Sequence, residues 1–260
     1  MNLDFLNRKR MPIFFNNHYT EEVTYSVDDL KVRGLLMTPH AKVKRIVVYL
    51  RGGKGQVGRV RPGRMAQFKN PNRLVFAPYY RGSNGSEGRD EFCGDDLNDV
   101  ITGINILKSK YPEAPIHMIG FSRGGIQGLL TYQKVKASSY IIWGGVTDML
   151  MMYKERVDLR GMLRRMVGHP KKQPEAYERR DALKMIHEDS PPILIIHGGE
   201  DAQVGIEMAY HLEQHLIKET VFHKTIYKQG EGHVFRPQTE KETLIELQNW
   251  MNLCEQKTEP

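Results

Sequence analysis

The sequence predicts an α/β architecture, a mostly parallel central sheet with helices on both faces. Three observations carry this expectation. Short β-rich runs alternate with longer stretches of helical periodicity; 260 residues with 40% hydrophobic content suffice for one large core; and no repeat, low-complexity tract or long linker divides the chain. Residues 1–260 therefore read as a single domain.

Taken in order, the opening "MNLDFLNRKRMPIFF" carries Asp4 and then Arg8 to Arg10, with no apolar stretch of the kind a secretory leader needs. "EEVTYSV" (21–27) and "KVRGLLMTP" (31–39) flank the turn-forming Asp28 and Asp29, which predicts an N-terminal antiparallel hairpin. Strands of a parallel sheet follow at "RIVVYL" (45–50), "RLVFAP" (73–78), "IHMIG" (116–120), "YIIWGG" (140–145), "PILIIHG" (192–198) and "VFHKTIY" (221–227). Leu97, Val100, Ile101, Ile104 and Leu107 recur at helical spacing after Asp95 and Asp96, which read as capping residues; with Asp99, they are acids expected at a helix N-terminus rather than metal ligands. A further helix is expected from "IQGLLTYQKV" (126–135) and another from "VGIEMAYHLEQHL" (204–216). Between 149 and 189, Leu159, Met162, Leu163, Met166 and Val167 form a helical stripe, so this interval is expected to be a small helical cap insertion above the sheet. Its methionines, with Met149, Met151 and Met152, are candidates for lining an adaptable apolar pocket.

In open parallel sheets, chemistry gathers in the loops after the strands' carboxyl ends. The first such loop of interest is "GFSRGG", a G-x-S-x-G pattern around Ser122 between an apolar strand and a helix, where the glycines let the chain turn sharply and push the serine outward. A serine hydroxyl needs a base, normally a histidine oriented by a carboxylate. The chain supplies both later, each in the loop after a separate strand: Asp201 in "GEDAQVG" and His233 in "KQGEGHVF". Glu200 and Glu231 are rival orienting acids; Asp201 is preferred because it stands where its loop leaves the strand. The order Ser, Asp, His is that of an α/β-hydrolase fold. Histidines 197, 211, 215 and 223 lie within predicted strands or helices and are expected to be structural or solvated.

The loop after the first parallel strand, "VVYLRGGKGQVGRVRPGR", nearly meets a phosphate-cradling pattern, but Arg59 and Val60 stand where a lysine and a hydroxyl would be needed. In a hydrolase the same loop contributes one backbone N–H to an oxyanion hole, with the other from the residue after the nucleophile; Gly53 and Arg123 are the candidates. Arg51, Trp143 and Met149 are candidate substrate-contact residues.

Composition excludes several classes. Apolar runs such as "IVVYL" fall far short of the roughly 20 residues of a membrane span, so no membrane partner is expected. Cys93 and Cys254, far apart and without ligand spacing, suit free thiols in a reducing cytoplasm. The net charge of +7 is scattered over "RKR", "RVRPGR" and isolated pairs, so a solvated surface explains it better than a nucleic-acid partner.

The stretches "YRGSNGSEGRDEFCGDDLNDV", "GFSRGG", "HGGEDAQV" and "GEGHVF" together resemble the catalytic domain of the prolyl oligopeptidase family of serine peptidases and related small esterases, from about Val43 onward. The resemblance implies an α/β-hydrolase in which Ser122 is the nucleophile, Asp201 and His233 complete the triad, and the Gly52-Gly53 loop serves the oxyanion hole. It implies a cytoplasmic serine hydrolase that cleaves a small ester or short peptide bond through an acyl-enzyme, with no metal and no organic cofactor; a homo-oligomer is a further expectation. Three positions depart from the family pattern: Arg51 where His or Tyr commonly precedes the glycine pair, Lys54 where proline often follows it, and Arg123 where Tyr often follows the nucleophile. These departures favour esterase over peptidase activity and leave the substrate open. The alternatives are a non-catalytic binding protein on the same fold and a basic nucleic-acid-binding protein.

Overall fold

A computed structural model describes residues 4–54 and 57–258; Gly55 and Gln56, inside the glycine-rich run after the first parallel strand, lie outside the described residues. Nine strands form one sheet in the order β1-β2-β3-β5-β4-β6-β7-β8-β9. Strands β1 (Asn7–Phe15), β2 (His18–Val27) and β3 (Leu30–Pro39) pair antiparallel. Asp28 and Asp29 both take positive φ, 49° and 62°, and join β2 to β3 by the two-residue turn whose twist matches the strands. Strand β5 (Arg73–Pro78) is the junction, antiparallel to β3 and parallel to β4 (Arg45–Leu50). From there β6 (Ile116–Phe121), β7 (Ser139–Trp143), β8 (Ile193–Gly198) and β9 (His223–Lys228) continue in parallel.

The central strands β4 to β8 are largely apolar because both faces of the sheet are covered there. Along β4 the side chains alternate: Ile46, Val48 and Leu50 enter one core with Phe76, Met118 and Ile142, while Val47 and Tyr49 enter the other with Val75, Ile119 and Ile141. Helices α2 (Asp96–Lys110) and α7 (Glu207–Lys218) cover the first face through Val100, Ile104, Leu107, Leu212 and Leu216. On the second face lie α1 (Pro62–Ala66) and α8 (Pro237–Thr258), the latter through Leu247, Trp250, Met251 and Cys254 at three- and four-residue spacing. A polar clasp pins the end of α8 to the sheet: Glu255 receives Arg45 at 2.5 and 2.6 Å and the buried His117 at 2.8 Å, and His117 contacts Ser139 Oγ at 2.8 Å. Cys93 and Cys254 are separate, buried thiols, and burial pushes their pKa values up to about 12 and about 11.

Three expectations need correction. The hairpin is part of a three-stranded antiparallel unit, because the basic run at Arg8 to Arg10 belongs to edge strand β1; its order comes from backbone pairing to β2, and exposed charges on an edge oppose pairing with other chains. The helix after Ser122, α3 (Gly124–Leu129), is only six residues long. Its last turn tightens as Thr131 and Tyr132 N–H both donate to the Gly128 carbonyl and the Thr131 hydroxyl donates back to Gln127 O at 2.8 Å. Finally, Asp95 makes no side-chain cap, whereas Asp96 and Asp99 are wholly buried ion-pair partners, Asp99 receiving Arg81 at 2.8 Å. Residues 149–189 fold as α4 (Met149–Glu155), α5 (Arg160–Met166) and α6 (Pro174–Glu178), whose Met152, Tyr153, Met162, Leu163 and Tyr177 merge with the first core.

Candidate active site

Strand β6 ends at Phe121, and Ser122 turns the chain into α3 with φ +56°, a left-handed conformation that costs a non-glycine residue roughly 1–2 kcal/mol. The turn is held from several sides. Ser122 N–H donates to Trp143 O at 3.3 Å, and the Ser122 carbonyl accepts from Gly125 and Val146 N–H, both at 2.9 Å. The flanking glycines are dictated by space: a Cβ on Gly124 would lie 2.0 Å from the Leu50 carbonyl oxygen, and one on Gly120 2.3 Å from the Gly124 carbonyl oxygen. The sequence pattern is thus the condition for β4, β6 and α3 to meet this closely.

In the loop after β8, Asp201 Oδ1 accepts from Gln203 N–H at 2.8 Å and Val204 N–H at 2.9 Å, while Oδ2 lies 2.7 Å from His233 Nδ1. Burial acts to raise the Asp201 pKa, but the bonds from His233 and the two amides outweigh it and hold the carboxyl below its ordinary range. The buried His197 reaches the Val204 carbonyl through Nε2 at 2.9 Å and braces this loop. The His233 ring packs 4.8 Å from the ring of Phe121, the residue before Ser122. The rival acids are occupied otherwise. Glu231 accepts from Arg236 N–H and the Thr239 hydroxyl at the start of α8, bonds that hold its pKa near 2, and Glu200 is exposed.

Gly53 takes φ +72°, and a Cβ there would meet the Val57 carbonyl oxygen at 2.4 Å; a Cβ on Gly58 would meet the Gly52 carbonyl oxygen at 2.5 Å. The loop therefore folds back on itself beside Ser122. Among the described residues, neither the Gly53 nor the Arg123 backbone N–H donates to a protein acceptor. The Arg123 side chain points away into the protein. It is almost fully buried, pairs with Asp90 at 2.8 Å and Asp96 at 2.7 Å, donates to the Gly53 carbonyl at 3.2 Å, and lies against the rings of Phe92 (4.4 Å) and Tyr80 (5.1 Å). Burial disfavours its charge, yet Asp96 and Asp90 more than compensate and its pKa is raised.

Two cavities share Ser122, Gly53, Val57 and Gln203. One, of about 570 Å³, is further lined by Tyr49, Arg59, Arg61, Arg64, Phe121 and His233. The other, of about 220 Å³, is lined by Phe92, Val146, Met152, Leu159, Met162 and Val204 together with Lys54, Arg123 and Arg156. Of the methionines in residues 149–189, Met152 and Met162 reach this second cavity. Among the described residues no group of acids, histidines or cysteines is arranged to hold a metal ion.

The three candidate substrate contacts lie elsewhere. Arg51 is buried and supports the glycine loop from behind, donating to the carbonyls of Gly52 (3.0 Å) and Tyr79 (3.1 Å) and to Ser83 Oγ (3.0 Å), with its guanidinium 4.9 Å from the Tyr80 ring. Trp143 is buried on the second face against Phe235, ring centroids 5.2 Å apart. Met149 starts α4 within the first core and borders a cavity with Tyr177 and Arg180 that does not include Ser122. Position after a strand did not reveal which way these side chains face. Conversely, Tyr80, Asp90, Asp96 and Gln203 lie in stretches that carry the family resemblance, but none of them is assigned a role at this site by sequence alone, and Arg59, Arg61 and Arg64 stood out only as "RVRPGR".

Comparison with known proteins adds to this geometry. The Prolyl oligopeptidase family profile matches residues 64–258. The "Uncharacterized peptidase YtmA" of Bacillus subtilis (strain 168) is 38% identical over 253 residues, covering 95% of this chain and 98% of that protein. Among solved structures, the Pyrococcus horikoshii acylaminoacyl peptidase superposes with a TM-score of 0.78 at 18% identity, over 92% of this chain and 42% of its own. The Mycobacterium tuberculosis puromycin-hydrolyzing peptidase does so with 0.74 at 20% identity, over 90% of this chain and 39% of its own. The chain thus spans about two fifths of the length of these two peptidases, and at such identity they speak for the α/β-hydrolase fold.

Proposed function

The chain belongs to the prolyl oligopeptidase family, and from that premise we propose that it is a serine hydrolase using Ser122, His233 and Asp201 to cleave an ester or a short peptide bond. The observation that carries the assignment is the Asp201–His233 bond of 2.7 Å on a ring that lines the same cavity as the strained Ser122. In the first step Ser122 Oγ attacks the carbonyl carbon while His233 Nε2 takes the hydroxyl proton; Asp201 fixes the Nδ1–H tautomer and stabilises the imidazolium. The resulting oxyanion is received by the Gly53 and Arg123 N–H groups, which have no other acceptor among the described residues. His233 then returns the proton to the leaving group, and water repeats the sequence on the acyl-serine. A reducing, cytoplasmic setting fits two separate buried thiols, and no helix among the described residues is long and apolar enough to cross a membrane.

The test is Ser122→Ala, which should lose turnover of short-chain nitrophenyl esters and labelling by a fluorophosphonate probe while keeping its thermal unfolding profile. Retained labelling would place the nucleophile elsewhere. Aminoacyl nitroanilides run beside the esters divide peptidase from esterase activity.

A further inference from the structure

The larger cavity at Ser122 is lined by three arginines, Arg59, Arg61 and Arg64, and by no carboxylate. Arg64 is already met by Glu240 and rests 5.1 Å over the Phe121 ring. Arg59 and Arg61 are exposed, and among the described residues neither guanidinium forms an ion pair or side-chain hydrogen bond. Their placement follows from the backbone. After the loop closes at Gly58 the chain runs extended into α1, with Arg61 at φ −112° and ψ 128°. Val60 between them is buried, so alternation turns Arg59 and Arg61 together to the cavity side.

The two cavities divide the substrate. His233 lines only the larger one, and under the mechanism above His233 delivers its proton to the leaving group. The acyl portion is left the smaller cavity of Phe92, Met152 and Met162, whose cations apart from Lys54 are already paired, Arg123 with Asp90 and Asp96 and Arg156 with Asp158. We propose that the leaving portion of the substrate carries a carboxylate near the scissile bond, as in a short peptide or acyl-amino acid ending in a free carboxylate, and that Arg59 and Arg61 bind it. This rests on the hydrolase reading and on His233 as the proton donor.

Two phenyl esters sharing one apolar acyl group test it, one with a 4-carboxylate on the phenol and one with the neutral 4-carboxamide. At low salt the wild-type protein should show kcat/KM about tenfold higher for the carboxylate, after correction for the uncatalysed rates, and the preference should shrink as salt screens the exposed arginines. Arg59→Gln combined with Arg61→Gln should remove the preference, whereas Arg179→Gln, which removes one exposed charge that lines neither cavity, should keep it. Equal rates in the wild type, or a preference that survives the double substitution, would overturn the proposal. Hydrolysis of neither ester would instead overturn the hydrolase reading, and the proposal with it.

Discussion

Replacing Arg123 by methionine keeps most of the side-chain volume and deletes one buried charge. It leaves Asp96, with no exposed surface, and Asp90, 7% exposed, without the guanidinium that now lies 2.7 and 2.8 Å from them. Removing one partner of a buried ion pair costs about 3–5 kcal/mol, since the remaining charge stays desolvated. Against a total stability of about 5–15 kcal/mol this is severe. At about 2–4 °C per kcal/mol for a chain of this size, Tm should fall by roughly 6–20 °C in a thermal scan followed by circular dichroism at neutral pH. The neutral triple variant Asp90→Asn, Asp96→Asn, Arg123→Met should recover most of the loss, because an uncharged cluster has no desolvated charge to balance. A fall of less than about 3 °C in the single variant, or no recovery in the triple, would refute the buried-charge argument.

Other expectations follow from the same geometry. Ser122→Gly and Ser122→Ala should be equally inactive, but glycine relieves roughly 1–2 kcal/mol of left-handed strain at a backbone-entropy cost of roughly 0.5–1 kcal/mol, so its Tm should exceed that of the alanine variant by a few degrees; equal melting would mean the elbow stores no strain. Gly124→Ala should fail to accumulate as folded protein, since its Cβ would sit 2.0 Å from the Leu50 oxygen; a soluble variant with wild-type Tm would contradict that. Partial burial disfavours the Glu255 charge, but His117 and Arg45 lower its pKa from 4.5 to about 2, so its contribution is present above pH 4.5 and is lost as pH falls toward 2. Burial also lowers the His117 pKa below 6.5, so proton uptake by the unfolded chain adds to the loss from about pH 6.5 downward. Glu255→Gln should therefore melt lower at neutral pH and show a flatter acid limb in a Tm-against-pH series.

The parallel strands were legible because burial on both faces demands unbroken apolar runs, and "RIVVYL" and "RLVFAP" coincide with β4 and β5 residue for residue. The elbow was legible for a steric reason, since few residue types other than glycine fit at 120 and 124. Edge strand β1 was not, because its first four residues are polar and its order is supplied by β2. Nor were the arginines at 51 and 123. Arg51 beside the glycine loop suggests a substrate contact and Arg123 is read only for its backbone N–H; only the fold brings Asp90 and Asp96 to neutralise the Arg123 side chain and the Tyr80 ring to shelter both. Specificity residues were hardest to read, because the direction a side chain takes at a strand end is settled by packing.

The glycine loop is pinched at two points. Its two crossing points, Gly53 against Val57 and Gly58 against Gly52, exclude side chains, so the amide of residue 53 is mechanically insulated from what the segment beyond Gly58 presents to incoming molecules. Substituting Arg59 or Arg61, which follow the second crossing point, should therefore leave the backbone around residue 53 in place.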